Sequence, residues 1–320
     1  MRVVGAVGEK TRMGDRLLNQ YRGALLGAAL GQVLGANAQA QGQPDWRQVE
    51  RWGFGSPAPH DSPPDLAAGL GKSVLSLGEG LIHRPQQSVA LPSAIRVNPA
   101  ALAIATLPLA LYTHDHPAQL RSHLQRLDAP VSSQSVALAV GELVSQAMHA
   151  DQPPAGLIER AIAAQDLMSI APELTTALQR VHIAVQQDSM AIARRTLFAK
   201  TPADYLPLCL ALYCFLSTPD HPAIAVRRAA KLRLSPLTSA LTGALCGARN
   251  GSSGLPATWR VQAHQADSIA ALWEIPESAI DSLSAMLFAA WAGIYVPALP
   301  DGQPPHPAWV VAPAGKLRPR

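Results

Sequence analysis

YRGALLGAALGQVLGA, residues 21–36, sets a glycine at 23, 27, 31 and 35 inside an otherwise apolar run. Residues four apart lie one above another on a helix, so the four glycines form one row. Each glycine costs about 1 kcal/mol relative to alanine inside a helix. Four in one row therefore need a packing reason, and the direct one is close approach of a second helix to the bare backbone. In lipid the same row would signal helix dimerisation. Gln32 interrupts the run, however, and a bilayer span needs about 20 apolar residues. The stretch reads as a core helix of a water-soluble fold, starting at the N-cap candidate Asp15 and ending near Gly35.

Outward from this helix, apolar residues recur with helical spacing through most of the chain. Helices are expected over 65–82, 92–112, 117–127, 132–149, 156–164, 172–187 and 189–198. Five more are expected over 203–216, 222–232, 236–249, 261–272 and 277–296. Several begin with proline, which suits a first helical turn, and alternating strand patterns are scarce. The expected fold is all-α: one compact orthogonal bundle of about a dozen helices spanning 15–296. Residues 1–14 read as a flexible leader, and 297–320 as an extended, Pro-rich tail. Residues 36–64, rich in Gln, Gly, Pro and Asp, read as a long loop. One faint echo, LPLALYTHDHPA at 107–118 and LALYCFLSTPDHPA at 210–223, is too little for a repeat array.

Composition excludes several classes. Nearly half of the 320 residues are apolar and 15% are charged, so the chain has the material for a large core. The net charge of +4 is partly an end effect of Lys10, Arg12, Arg16, Lys316, Arg318 and Arg320. No basic stripe with interleaved aromatics marks a nucleic-acid surface, and no run is long enough for a membrane span. Cys209, Cys214 and Cys246 are odd in number and sit in apolar helices, as buried thiols in a reducing compartment would. With no secretory signal pattern at the N-terminus, a cytoplasmic location is expected.

Chemical motifs are sparse. GxSxG, Walker and GxGxxG patterns are absent. His114-Asp115-His116 suggests a metal site, yet it sits at a helix end before Pro117, where solvated imidazoles beside the C-terminal dipole are the commoner arrangement. Asp61 and Asp65 flank Pro63 and Pro64, and Asp65 stands where a helix would be capped.

Three segments together resemble the ADP-ribosylglycohydrolase family, which includes the dinitrogenase-reductase-activating glycohydrolase. The Gly-rich helix at 21–36 is similar to the family's opening helix, usually written with Gly-Asp where this chain has Gly31-Gln32. LPSAIRVNPAALA at 91–103 resembles a family stretch at Arg96 and Pro99. The region from Ser217, with GALCGA at 243–248, Leu255-Pro256 and Trp259, resembles the segment that carries the family's Asp-Thr-Asp-Thr motif. The resemblance implies an all-α fold with a cleft for two Mg²⁺ or Mn²⁺ ions, held by that motif and an earlier Thr-Asp-Asp-Thr.

The departures fall on the acids. The first motif position reads Pro63-Pro64-Asp65-Leu66, the second Leu234-Ser235-Pro236-Leu237, and the opening-helix acid is Gln32. Two divalent ions need several charged oxygen ligands, so no bound metal, no other cofactor and no catalytic residue are expected. Gln32, Asp65, Arg96, Asn98 and Thr238 would line what remains of the cleft, with Arg96 suited to a phosphate or carboxylate. A silent relative that binds an ADP-ribose-like or nucleotide ligand is the leading expectation. A hydrolase using Asp61, Asp65 and Glu79, or a scaffold for a protein partner, are the alternatives.

Overall fold

The structure is a computed structural model and describes residues 3–40, 69–83, 89–149, 153–165, 171–187, 190–232 and 235–294. It contains, in chain order, α1 (Val3–Ala40), α2 (Leu70–His83), α3 (Ser93–Val97), α4 (Pro99–Ala105), α5 (Leu107–Tyr112) and α6 (Pro117–Gln125). There follow α7 (Val131–Met148), α8 (Leu157–Gln165), α9 (Pro172–Val185), α10 (Met190–Lys200) and α11 (Leu206–Ser217). The last are α12 (Pro222–Ala230), α13 (Ser235–Asn250), α14 (Ala257–Gln265), α15 (Ser268–Trp273) and α16 (Glu277–Ala292). Among the described residues there is no strand, and no helix is long and apolar enough to cross a membrane.

The all-α expectation holds, with more and shorter helices than the periodicity suggests. Proline is one cause. The stretch read as a single helix over 92–112 is divided into α3, α4 and α5, and Pro99 and Pro108 sit in the first turns of α4 and α5. Asn98 is extended at φ −93° and ψ 113°, as a residue preceding proline prefers. A left-handed Asp267, at φ 49°, divides the helix expected over 261–272 into α14 and α15. The opening helix is longer than expected at both ends. It runs from Val3 through the residues read as a leader and on past Gly35 to Ala40; no proline stands before Pro44 to stop it.

α1 is the central strut. Every residue from Gly23 to Ala38 is buried, which requires neighbours on all sides. Its closest partner is α13, running antiparallel: Gly23 lies against Gly247, Gly27 against Gly243, and Gly31 against Ser239. At each of these places a Cβ would overlap backbone of the other helix. The glycine row thus serves the close approach expected of it. Around this pair pack α12, α16, α15 and α7, while α11 lies between α13 and α9. The sequence echo becomes a local structural one: α5–α6 and α11–α12 are each joined by a short turn whose last residue, His116 or His221, precedes a proline that starts the next helix.

Candidate functional site

Gln32 points from α1 into the core and is 1% exposed. Its Oε1 accepts a hydrogen bond from the Trp273 indole Nε1 at 2.8 Å. Trp273 ends α15 and is the largest fully buried side chain among the described residues. Leaving either group unpaired at such depth would cost about 1–3 kcal/mol; the bond satisfies both. Trp273 also abuts the start of α2, where a Cβ on Gly71 would collide with its backbone oxygen and Cβ. One residue on, Lys72 and Glu274 form an ion pair at the surface. Thr238 is fully buried in α13, and its carbonyl accepts the Thr242 hydroxyl at 2.8 Å. Because its neighbour Ser239 lies against Gly31, Gln32 and Thr238 share one end of the α1–α13 crossing.

Arg96 and Asn98 are engaged elsewhere. Arg96 donates to both the carboxylate and the backbone carbonyl of Asp128, in the link before α7. Asn98 caps α4, its Oδ1 accepting from the Ala101 N–H at 3.0 Å, an arrangement worth about 1 kcal/mol. Asp61 and Asp65 lie outside the described residues, and Glu79 is exposed on α2. The structure therefore unites two of the expected cleft residues and gives two others structural partners.

Two divalent cations need several anionic oxygens converging on one place. The described residues around Gln32 offer an amide whose carbonyl already faces an indole N–H, hydroxyls on Thr238 and Ser239, and no carboxylate at 235–238. Among the described residues no three His, Cys, Asp or Glu side chains are grouped to hold a metal ion. Among the described residues, which do not include Asp61 and Asp65, the groups near Gln32 do not by themselves make up a two-metal cluster.

The second polar cluster surrounds His114, where the structure departs from the solvated helix end expected. The Tyr21 hydroxyl donates to the Leu111 carbonyl at 2.7 Å and lies 3.3 Å from His114 Nδ1, which is itself 2.9 Å from that carbonyl. Trp291 of α16 stacks at a tilt on the imidazole, with ring centroids 4.9 Å apart, and its Nε1 donates to Asp115 at 3.1 Å. Burial holds the His114 pKa below the usual histidine value, against opposing pulls from the Leu111 carbonyl and Asp115. The sign follows: the unfolded chain takes up a proton at His114 that the folded chain resists. Stability at this site is complete above the ordinary histidine value and falls as pH drops through it. Urea unfolding at pH 7 and pH 5 should show a larger loss for the native protein than for His114→Gln; equal losses would contradict this assignment.

The thiols are not set up for covalent chemistry. All three cysteines are free and buried, and burial pushes the thiols of Cys209 and Cys214 up to about 12, which leaves them unreactive. Between α2, α5 and α6, a shallow, mostly apolar cavity lined by Leu77, Leu81, Leu109, His123 and Arg126 holds about 30 Å³, room for a water or two. Sequence reasoning did not single out Trp273, because AALWEIP around it carries no motif; only the fold brings it to Gln32.

The fold and sequence both have known counterparts. A solved structure described as an ADP-ribosylglycohydrolase-related protein complex is similar over 87% of this chain and 99% of its own, with a TM-score of 0.55 and 16% identity. That likeness establishes a shared all-α fold. No curated protein matches the chain. The family profile for ADP-ribosylglycohydrolase matches residues 45–290, from beyond α1 to near the end of α16. By that match over most of its length, the chain belongs to the ADP-ribosylglycohydrolase family.

Proposed function

We propose that this chain is a catalytically silent member of the family, acting as a binding or regulatory protein in the cytoplasm. The observation that supports it best is the buried bond between Gln32 and Trp273. Where the resemblance puts an acid in the opening helix, there is a neutral amide committed to an indole. The second motif position, Leu234-Ser235-Pro236-Leu237, has no carboxylate either. Without charged ligands, two cations would not be held to orient the ribose or activate water. The three free, buried thiols suit a reducing compartment.

The test is calorimetric titration of chelator-treated protein with Mg²⁺ and Mn²⁺, with and without ADP-ribose. The expected result is no saturable metal binding and no release of ADP-ribose from N- or O-linked ADP-ribosylated substrates. Saturable binding of two ions with turnover would return the chain to the hydrolases, with Asp61, Asp65 and Glu79 as the acids to replace. A thermal shift with millimolar ADP-ribose separates the two binding readings. A shift favours a nucleotide-type ligand; its absence favours a protein partner.

A further inference from the structure

α15 is a short helix held between two non-glycine residues in the left-handed region, Asp267 at φ 49° and Glu274 at φ 55°. Among the described residues these are the only non-glycine positions with positive φ. Such a backbone is costly for a side chain as large as glutamate and persists only where surrounding contacts hold it. Those contacts are three latches in a row at the C-terminal end of α15. The Trp273 indole donates to Gln32 on α1 at 2.8 Å. The Trp273 backbone lies directly on Gly71 of α2. Glu274 pairs with Lys72 at the surface. Six residues closed by a left-handed residue at each end, with Ser268, Ile269, Leu272 and Trp273 buried and the Trp273 indole bonded to α1, form a short unit docked on the long helices beneath.

We propose that Asp267–Glu274 is a strap that opens and closes over Gln32 as a unit, without unfolding of α1, α2 or α13. Closed, it fills the space beside Gln32 with a flat ring whose N–H faces the amide oxygen. Open, it leaves a slot of that shape with a carbonyl acceptor at its floor, complementary to a planar nitrogen heterocycle bearing an N–H donor. The proposal stands whether or not the chain hydrolyses a substrate, since it concerns only the strap and the amide it covers.

Gly71 provides a selective test. It lies in the first turn of α2, where alanine suits the helix better than glycine, yet an added Cβ would strike the Trp273 backbone. Gly71→Ala should therefore loosen the strap and spare its own helix. Hydrogen exchange read by mass spectrometry should show amides of residues 268–275 exchanging at least tenfold faster, with α1, α2 and α13 as protected as in the native protein. Lys72→Ala, which removes only the outer latch, should give a smaller increase confined to the same residues. If exchange in the strap is unchanged in Gly71→Ala, or rises together with α1 and α13, the strap is ordinary core and the proposal fails. Indole added at millimolar concentration to Trp273→Gly should raise its melting temperature by filling the slot. If it leaves the melting temperature unchanged, the heterocycle assignment fails.

Discussion

Gly243→Ala is expected to destabilise the protein by about 3 kcal/mol or more, the upper range for overpacking a core. The added Cβ would overlap the Gly27 carbonyl oxygen. That atom belongs to a backbone buried on every side, and no rotamer change can relieve the clash. The helices must move apart instead, opening the contact that holds the central strut along its length. At roughly 2–4 °C per kcal/mol for a domain of this size, the melting temperature should fall by about 6–12 °C. Gly14→Ala is the control. On the same helix, its Cβ would meet only the Phe288 ring edge at 3.8 Å, an ordinary contact, so it should be neutral or stabilising by up to about 1 kcal/mol. Calorimetric melting of the two variants decides the matter. A Gly243→Ala protein within 1 kcal/mol of native would show that the α1–α13 crossing is looser than its geometry.

What the sequence revealed of this fold was what local rules govern. Glycine at every fourth position announced a close helix crossing without naming the partner, and GALCGA supplied a matching small-residue face. Prolines marked the starts of α6, α9 and α12, because a residue without an N–H fits only where no intrahelical acceptor is needed. Errors arose where a local rule competed with a second one. Apolar periodicity carried one helix across 92–112, although Pro99 and the extended Asn98 break it. Asp15 has the chemistry of an N-cap, yet nothing before it stops the helix, so α1 continues back to Val3.

The candidate site was less legible, for a physical reason. Gln32 was marked by departure from a family pattern, and its burial and partner then depended on a bond to a residue 241 positions away. Composition and spacing cannot foretell such a pairing, which is fixed only when α15 docks on α1 and α2. The same holds for His114. Read locally it ends a helix; in the fold it is packed between Tyr21 of α1 and Trp291 of α16. Arg96 and Asn98 are polar residues near a proline, and in the structure their side chains go to Asp128 and Ala101. That is the commoner use of such groups.

Gln32→Asp, which writes the family's acid back into α1, should weaken the protein rather than restore a site. The side chain is one methylene shorter, so it would no longer reach the Trp273 Nε1 in its present place. It would also bring a carboxylate into a core position now 1% exposed. An unpaired buried indole N–H costs about 1–3 kcal/mol, and a buried carboxylate without a cationic partner costs more unless it is neutralised. We expect a loss of about 3 kcal/mol or more at pH 7, measured by urea unfolding. The pH dependence identifies the cause. Burial raises a carboxyl pKa, so the folded variant holds its proton more tightly than the unfolded chain, and the deficit relative to native should shrink between pH 7 and pH 5. Chelator-treated variant titrated with Mg²⁺ or Mn²⁺ should still show no two-ion binding, because the start of α13, residues 235–238, contributes no second acid. If the variant instead keeps native stability and binds two ions, the neutral amide is one substitution from an active centre. The loss of the metal site would then be recent and shallow rather than built into the packing of Trp273.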